Sequence, residues 1–208
     1  MLLYFLRKKY SNIFFSGIAF DSSKVKKNDI FFAIKGNKFD GNNFIDIAIK
    51  KGAKVIVTEK KINKKKENTV FLYSSNVRKL LANVAFKILD NKPKKLVAVT
   101  GTNGKSSIAD FYYQILNLNN KKVASIGTLG VKSKKFKKDL SNTTIDPIQL
   151  SKILNHLKKQ NINNVIMEAS SHGLSQNRLD GLFFNTGIFA NLSQDHLDYH
   201  KNIRDYLK

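Results

Sequence analysis

No cysteine occurs in the 208 residues, which excludes disulfides, thiolate metal sites and cysteine nucleophiles and is compatible with a reducing compartment. Nor does any apolar run reach the roughly 18 residues that a membrane-spanning helix needs. The opening Met1-Leu2-Leu3-Tyr4-Phe5-Leu6 is too short for the apolar part of a signal peptide. It has no basic segment before it and runs straight into Arg7-Lys8-Lys9, so neither export nor membrane attachment is expected. Acidic residues are scarce: 15 Asp and Glu stand against 37 Lys and Arg, a formal net charge of +22. A chain so charged attracts phosphate in any form. The lysines are nevertheless spread along the whole length beside many Asn and Ile, as drift toward AT-rich codons would produce, and no nucleic-acid-binding motif accompanies them. Runs such as Lys60-Lys61 and Lys64-Lys65-Lys66 read as solvated loops. Internal repeats are lacking too. The 42% hydrophobic and 11% aromatic content suffices for one large or two small domains with real cores.

The most informative segment is Leu96-Val97-Ala98-Val99-Thr100-Gly101-Thr102-Asn103-Gly104-Lys105-Ser106-Ser107. An apolar strand runs into a glycine-lysine-hydroxyl turn and then into a helical pattern with Ile108, Phe111, Tyr112, Ile115 and Leu116 as its apolar stripe. This is the wiring of a nucleotide phosphate site, because turn amides and the positive end of the helix point at one place. Gly101, Thr102, Asn103, Gly104, Lys105, Ser106 and Ser107 are the expected nucleotide-binding residues, with Lys105 as a point charge for the outer phosphates and the Ser106 hydroxyl suited to magnesium. The loop is shorter than G-x-x-x-x-G-K-[ST], since Val99 stands where that pattern has its first glycine.

The first unit, residues 1–92, alternates strands (29–34, 53–58, 69–73) with a short helix (43–51). It ends in a helical stripe of Val77, Leu80, Leu81, Val84, Ala85, Ile88 and Leu89. Asn91-Lys92-Pro93-Lys94-Lys95 breaks that helix and marks the junction. The second unit, 93–208, continues from the phosphate-loop strand through strands at 123–126, 165–167 and 187–189 with a helix at 150–157. The expected fold is therefore α/β: a small mixed α/β domain followed by a P-loop-type domain with a parallel sheet, ligands meeting the carboxyl ends of its strands. The polar clusters Glu168-Ala169-Ser170-Ser171-His172 and Asn191 to His196 each follow one of those strands, and Asn142-Thr143-Thr144 lies in a loop.

Together, T-G-T-N-G-K-S, N-T-T at 142–144, E-A-S-S-H-G-L at 168–174 with Gln176 and Arg178, and N-L-S-Q-D-H-L-D-Y-H at 191–200 resemble the Mur ligase family. Within it they are most similar to the branch that joins a diamino acid to UDP-N-acetylmuramoyl-L-alanyl-D-glutamate. Phe20-Asp21-Ser22-Ser23-Lys24-Val25, Asp29 to Gly36 and Asp40-Gly41 are similar to the uridine-nucleotide-binding domain of that branch. The resemblance implies an ATP-dependent amide ligase of peptidoglycan precursor synthesis, working in the cytoplasm as a monomer through an acyl phosphate, with UDP-MurNAc-dipeptide, ATP and meso-diaminopimelate or L-lysine as substrates. It assigns Lys105, Glu168 and His196 to catalysis, and Ser106, Glu168 and His196 to magnesium. Ser22, Thr143, Thr144, Ser170, Gln176 and Arg178 are assigned to the muramyl substrate.

Taken singly, Ser22 also fits a turn former, Thr143 a helix N-cap and Arg178 a solvated loop charge, while His172 and His200 carry no role beyond shaping their loops. By the family's spacing the lysine that becomes carbamylated falls just beyond Lys208, so Lys208 is not given that role. The remainder of the central sheet and the carboxyl-terminal ligase domain are expected further on, and the 208 residues alone are expected to be inactive. Alternatives are a MurF- or folylpolyglutamate-synthase-like ligase with another acceptor, a non-catalytic nucleotide-binding protein and a basic nucleic-acid binder.

Overall fold

A computed structural model describes residues 13–37, 39–61 and 68–193. The expectations for Met1 to Lys9, for Lys64 to Lys66 and for the segment containing His196, His200 and Lys208 lie outside the described residues. The chain divides into two compact units between Ile88 and Leu89.

In the first unit β1 (Ile18–Ala19), β2 (Ile30–Phe32), β3 (Val55–Thr58) and β4 (Val70–Tyr73) form a 4-stranded sheet in that order, with every pair parallel. Strands buried on both faces must be apolar at successive positions, and Ile30-Phe31-Phe32 and Val55-Ile56-Val57 are at most 1% exposed. Phe31 and Ile56 pack with Ile45 and Ala48 of α1 (Ile45–Lys50). Ile30, Phe32, Val55 and Val57 alternate to the opposite face, and α2 (Val77–Ile88) contacts β2. The α2 stripe buries Val77, Leu81, Val84 and Ala85 as its periodicity predicts.

The second unit is a 6-stranded sheet of β5 (Lys95–Thr100), β6 (Val123–Gly127), β7 (Gly130–Ser133), β8 (Lys137–Lys138), β9 (Asn164–Glu168) and β10 (Thr186–Phe189), ordered β10-β5-β9-β6-β7-β8. The first four in that order run parallel. The strands β7 and β8 fold back antiparallel, an extension that strand–helix alternation does not reveal because Gly130–Ser133 and Lys137–Lys138 are too short and polar to register. Exposed lysines on the edge strand β8 also disfavour edge-to-edge pairing with other chains.

Among the described residues the unit has three helices: α3 (Lys105–Leu118), α4 (Pro147–Lys159) and α5 (Ser171–Ser175). The core-facing stripe of α3 differs from the expected one. Ala109 and Tyr113 are buried, with Ile108 and Tyr112 packed beside Val97, Val99 and Ile166, whereas Phe111 is 61% and Ile115 58% exposed. The apolar residues of this helix outnumber the positions its sheet can cover, so composition overstates the stripe. The helix α4 begins three residues before the apolar pattern. Asp146 caps it by accepting from the Gln149 N–H at 3.0 Å, and Pro147 takes the first turn, where a missing N–H costs nothing. Among the described residues no helix is long and apolar enough to cross a membrane.

Candidate active site: a phosphate loop above a buried carboxylate

Parallel strands carry their carboxyl ends to one edge of the sheet, and β5, β6, β9 and β10 all deliver polar residues there. After β5 the chain turns through Gly104, whose left-handed φ of 83° is open to glycine at little cost, and enters α3 at Lys105. The Lys105 ammonium donates to the carbonyls of Gly101 at 2.6 Å and Thr102 at 2.8 Å. The loop is anchored from the neighbouring strand. Asn191, beyond β10, accepts from the Thr102 and Asn103 N–H groups through its carbonyl and Oδ1, at 3.1 and 2.9 Å, and donates from Nδ2 to the Asn103 carbonyl at 3.0 Å. The Thr102 hydroxyl joins Ser193 in both directions, accepting from its N–H and donating to its carbonyl. Thr102 is therefore spent on holding the loop, and Asn191 is the loop's clamp. Sequence reasoning quoted the segment at 191 without giving Asn191 a role.

Below the loop lies Glu168, the last residue of β9, only 3% exposed. Its carboxylate accepts from the Ser106 hydroxyl at 3.0 Å, the Thr128 N–H at 3.0 Å and the Thr128 hydroxyl at 3.2 Å. Space for it exists because residue 127 is glycine: a Cβ there would stand 2.1 Å from Glu168 Oε1. Gly127 and Thr128 went unassigned in the sequence, although they directly follow the predicted strand 123–126, where ligand-contacting residues belong.

The donor set suits magnesium, which takes one or two carboxylates together with waters and phosphate oxygens. Ser106 and Glu168 bring two hard oxygens together. Among the described residues no group of three or more His, Cys, Asp or Glu is arranged to hold a metal ion. His196, the third expected ligand, lies outside them.

The expected substrate residues separate into two kinds. Thr143 and Ser170 line the same cleft of about 270 Å³ as Lys105, Ser106, Ser107, Thr128 and Glu168, and the Thr143 hydroxyl lies 2.9 Å from that of Thr128. Thr144, by contrast, is 4% exposed. Its hydroxyl donates to the Glu168 carbonyl and accepts from the Ser170 N–H and the Ser170 hydroxyl. A hydroxyl has one proton and two acceptor sites, so the side chain of Thr144 is fully used inside the fold. The side chain of Thr144 thus fixes the loop that carries Thr143.

Ser170 also caps α5 by accepting from the Gly173 N–H at 3.1 Å. Arg178 is not a solvated loop charge. Its guanidinium donates to the Thr144 carbonyl and, at 3.2 and 2.8 Å, to Gln176 Oε1, which ties Gln176 and Arg178 to the Thr144 loop. Nor is Thr143 a helix cap, since Asp146 fills that place. In the first unit Ser22 opens a single 3-10 turn after β1, capped by Asp21 accepting from the Ser23 N–H at 2.9 Å. The Ser23 side chain and then its N–H, with Lys24 adding less, hold the Asp21 carboxyl below the usual carboxylate range.

A strand, a glycine-lysine-serine turn and a helix, with an acid on the adjacent parallel strand facing the helix's serine, define an α/β nucleotide-binding domain of phosphate-loop type. Comparison with known proteins narrows the class. The Mur ligase middle domain matches residues 99–208, and the model described as Mur ligase family, catalytic domain, matches residues 15–91. The chain belongs to the Mur ligase family. It is 40% identical over 208 residues to a UDP-N-acetylmuramoyl-L-alanyl-D-glutamate--2,6-diaminopimelate ligase of Rickettsia felis, across 98% of this chain and 39% of that protein. A ligase of the same name from Buchnera aphidicola is 42% identical over 200 residues, across 92% of this chain and 40% of its own length. A solved structure bearing that name superposes with a TM-score of 0.81 at 30% identity, covering 95% of this chain and 40% of the other. The chain thus spans about two-fifths of the length of these relatives.

Proposed function

We propose that this chain is part of an ATP- and magnesium-dependent cytoplasmic ligase that adds 2,6-diaminopimelate to UDP-N-acetylmuramoyl-L-alanyl-D-glutamate. The observation that carries the reading is the convergence of Ser106 and Thr128 on Glu168, with Thr143 hydrogen-bonded to Thr128. A nucleotide-loop hydroxyl and a substrate-loop hydroxyl thereby border one cleft, where a phosphate donor and a carboxylate acceptor can meet. The names of the relatives support diaminopimelate as the amino acid. In the uridine-binding unit, Ser22 would contact the diphosphate end of the substrate.

A carboxylate does not condense with an amine in neutral water. The reaction therefore begins with attack of a substrate carboxylate oxygen on the γ-phosphorus of ATP, which releases ADP and leaves an acyl phosphate. The amine nitrogen then adds to the acyl carbon; the tetrahedral adduct expels phosphate and the nitrogen loses a proton. Lys105 and the turn amides bind and orient the phosphates in line. Ser106, Glu168 and His196 would hold magnesium, which supplies positive charge to the transferring phosphate. Ser170 and the Thr144 loop, braced by Arg178 and Gln176, orient the acceptor.

The test uses the full-length protein with UDP-MurNAc-L-Ala-D-Glu, ATP and diaminopimelate, following tripeptide product by chromatography. Wild type should form product. Lys105→Ala should lose about a hundredfold or more in rate, as for removal of one preorganised charge-stabilising group. Lys105→Arg should not restore it, because a planar fork does not fit where a compact ammonium sits. Undiminished turnover in Lys105→Ala would overturn the reading.

A further inference from the structure

Glu168 and Thr143, the two groups that the proposed reaction sets against phosphate and acceptor, are joined through Thr128. Its hydroxyl lies 3.2 Å from Glu168 Oε2 and 2.9 Å from Thr143 Oγ1, while its N–H holds Glu168 Oε1 at 3.0 Å. A threonine hydroxyl has one proton, and a carboxylate only accepts. For both bonds to stand together, the Thr128 proton goes to Glu168 and Thr143 donates to Thr128. The three side chains make a one-way chain, Thr143 to Thr128 to Glu168.

We infer that Thr128 is a positioning residue that couples the acceptor-substrate loop to the magnesium-site carboxylate, and that it leaves Thr143 to meet the substrate as a hydrogen-bond acceptor. This rests on the ligase reading above. Two consequences follow from the bond order. The substrate group at Thr143 is a donor, an amide N–H or a hydroxyl, and not a carboxylate oxygen. The Glu168 carboxylate, pinned on one oxygen by the Thr128 amide and on the other by the Thr128 and Ser106 hydroxyls, keeps its orientation before nucleotide and metal arrive. Preorganisation of that kind removes a reorganisation cost from the chemical step. The side chain of Thr128 is exposed to the cleft, so replacing it does not disturb a packed core.

The experiment compares Thr128→Val, which keeps shape and the backbone N–H but loses the hydroxyl, with Thr128→Ser, Thr143→Val and the double valine variant, all in the full-length protein. Three quantities are measured: affinity for UDP-MurNAc-L-Ala-D-Glu by calorimetry without ATP, the magnesium dependence of ADP binding, and kcat with KM. Thr128→Val should weaken dipeptide binding and raise the magnesium concentration needed for half-maximal ADP binding, with kcat down about tenfold to a hundredfold, the range for losing a hydrogen bond to a charged group. Thermal stability should match wild type. Thr128→Ser should recover to within about threefold.

The double variant should bind dipeptide no worse than the poorer single one, because both substitutions break one chain. The inference is overturned if Thr128→Val leaves the magnesium dependence and kcat unchanged, if the two valine losses multiply in full, or if serine is as poor as valine. A wild-type protein that makes no tripeptide overturns the ligase reading instead, and the magnesium dependence of ADP binding then still decides the role of Thr128.

Discussion

A single missing methyl group sets the geometry of the site. At residue 127 a Cβ would approach Glu168 Oε1 to 2.1 Å and its Cδ to 2.5 Å. Glu168 is buried with three donors on it, so it has nowhere to retreat without losing them. Gly127→Ala should therefore displace the carboxylate from Ser106 and Thr128. The overpacking should cost about 1–3 kcal/mol of stability, and the loss of rate should exceed any loss of ADP affinity. A thermal melt beside steady-state kinetics on the full-length protein checks both, and equal kcat in the alanine variant would contradict the geometry described. The glycine itself was visible in the sequence, but the carboxylate it accommodates lies 41 residues on. Only the parallel pairing of β6 with β9, which sets Ile126 opposite Met167, makes them neighbours.

At the scale of elements, asparagine does here what glycine commonly does. Asn120, Asn161 and Asn177 adopt left-handed backbone with φ of 56–60° and directly follow the C-caps of α3, α4 and α5. Each closes its helix with the same pair of bonds: Lys121 N–H to Leu116 O with Asn120 N–H to Asn117 O, Ile162 to Leu157 with Asn161 to Lys158, and Arg178 to Gly173 with Asn177 to Leu174. This is the Schellman arrangement, and after α4 the two residues it places for an apolar contact, Ile162 and Leu157, are both buried. After α5 the same turn sets the direction in which Arg178 leaves the helix, linking a local backbone preference to the substrate loop. Asn161→Ala should destabilise the protein by about 1–2 kcal/mol, the cost of a left-handed residue with a Cβ and no compensating side chain. Asn161→Gly should be neutral or slightly stabilising. Denaturant midpoints with unchanged slopes would show this, and an alanine variant as stable as wild type would refute it. Asparagine occurs so often in this chain that its turn role could not be singled out from sequence.

For the whole molecule the dominant physical fact is a net charge of +22, which makes the few carboxylates valuable. Asp110 is held below the ordinary value of 3.8, first by the Lys132 ammonium at 2.6 Å and then by Gln114, and Asp21 and Asp40 are lowered by local donors. A carboxyl whose folded pKa is depressed contributes stability that is fully present above its unfolded value, near 3.8, and is lost as pH falls through the folded one. Each protonation also adds to the positive self-repulsion, which salt screens. Acid unfolding should therefore set in steeply below about pH 4 and shift to lower pH in added salt. Asp110→Asn should lower the melting temperature at pH 7, with the gap closing as pH is lowered toward 3. A gap constant from pH 7 to 3 would show that the Asp110–Lys132 pair carries no charge-dependent stability. The sequence by itself determined the phosphate loop, the strands buried on both faces, the α2 stripe and the family resemblance, because these rest on adjacent residues and on periods of two or 3.6. Tertiary structure alone decided that Thr144 is spent inside the fold, that Asn191 clamps the loop, that Phe111 and Ile115 face outward and that Thr128 bridges Thr143 to Glu168. Each of those depends on which strands lie side by side, and the pairing of strands far apart in sequence leaves no mark on the residues between them.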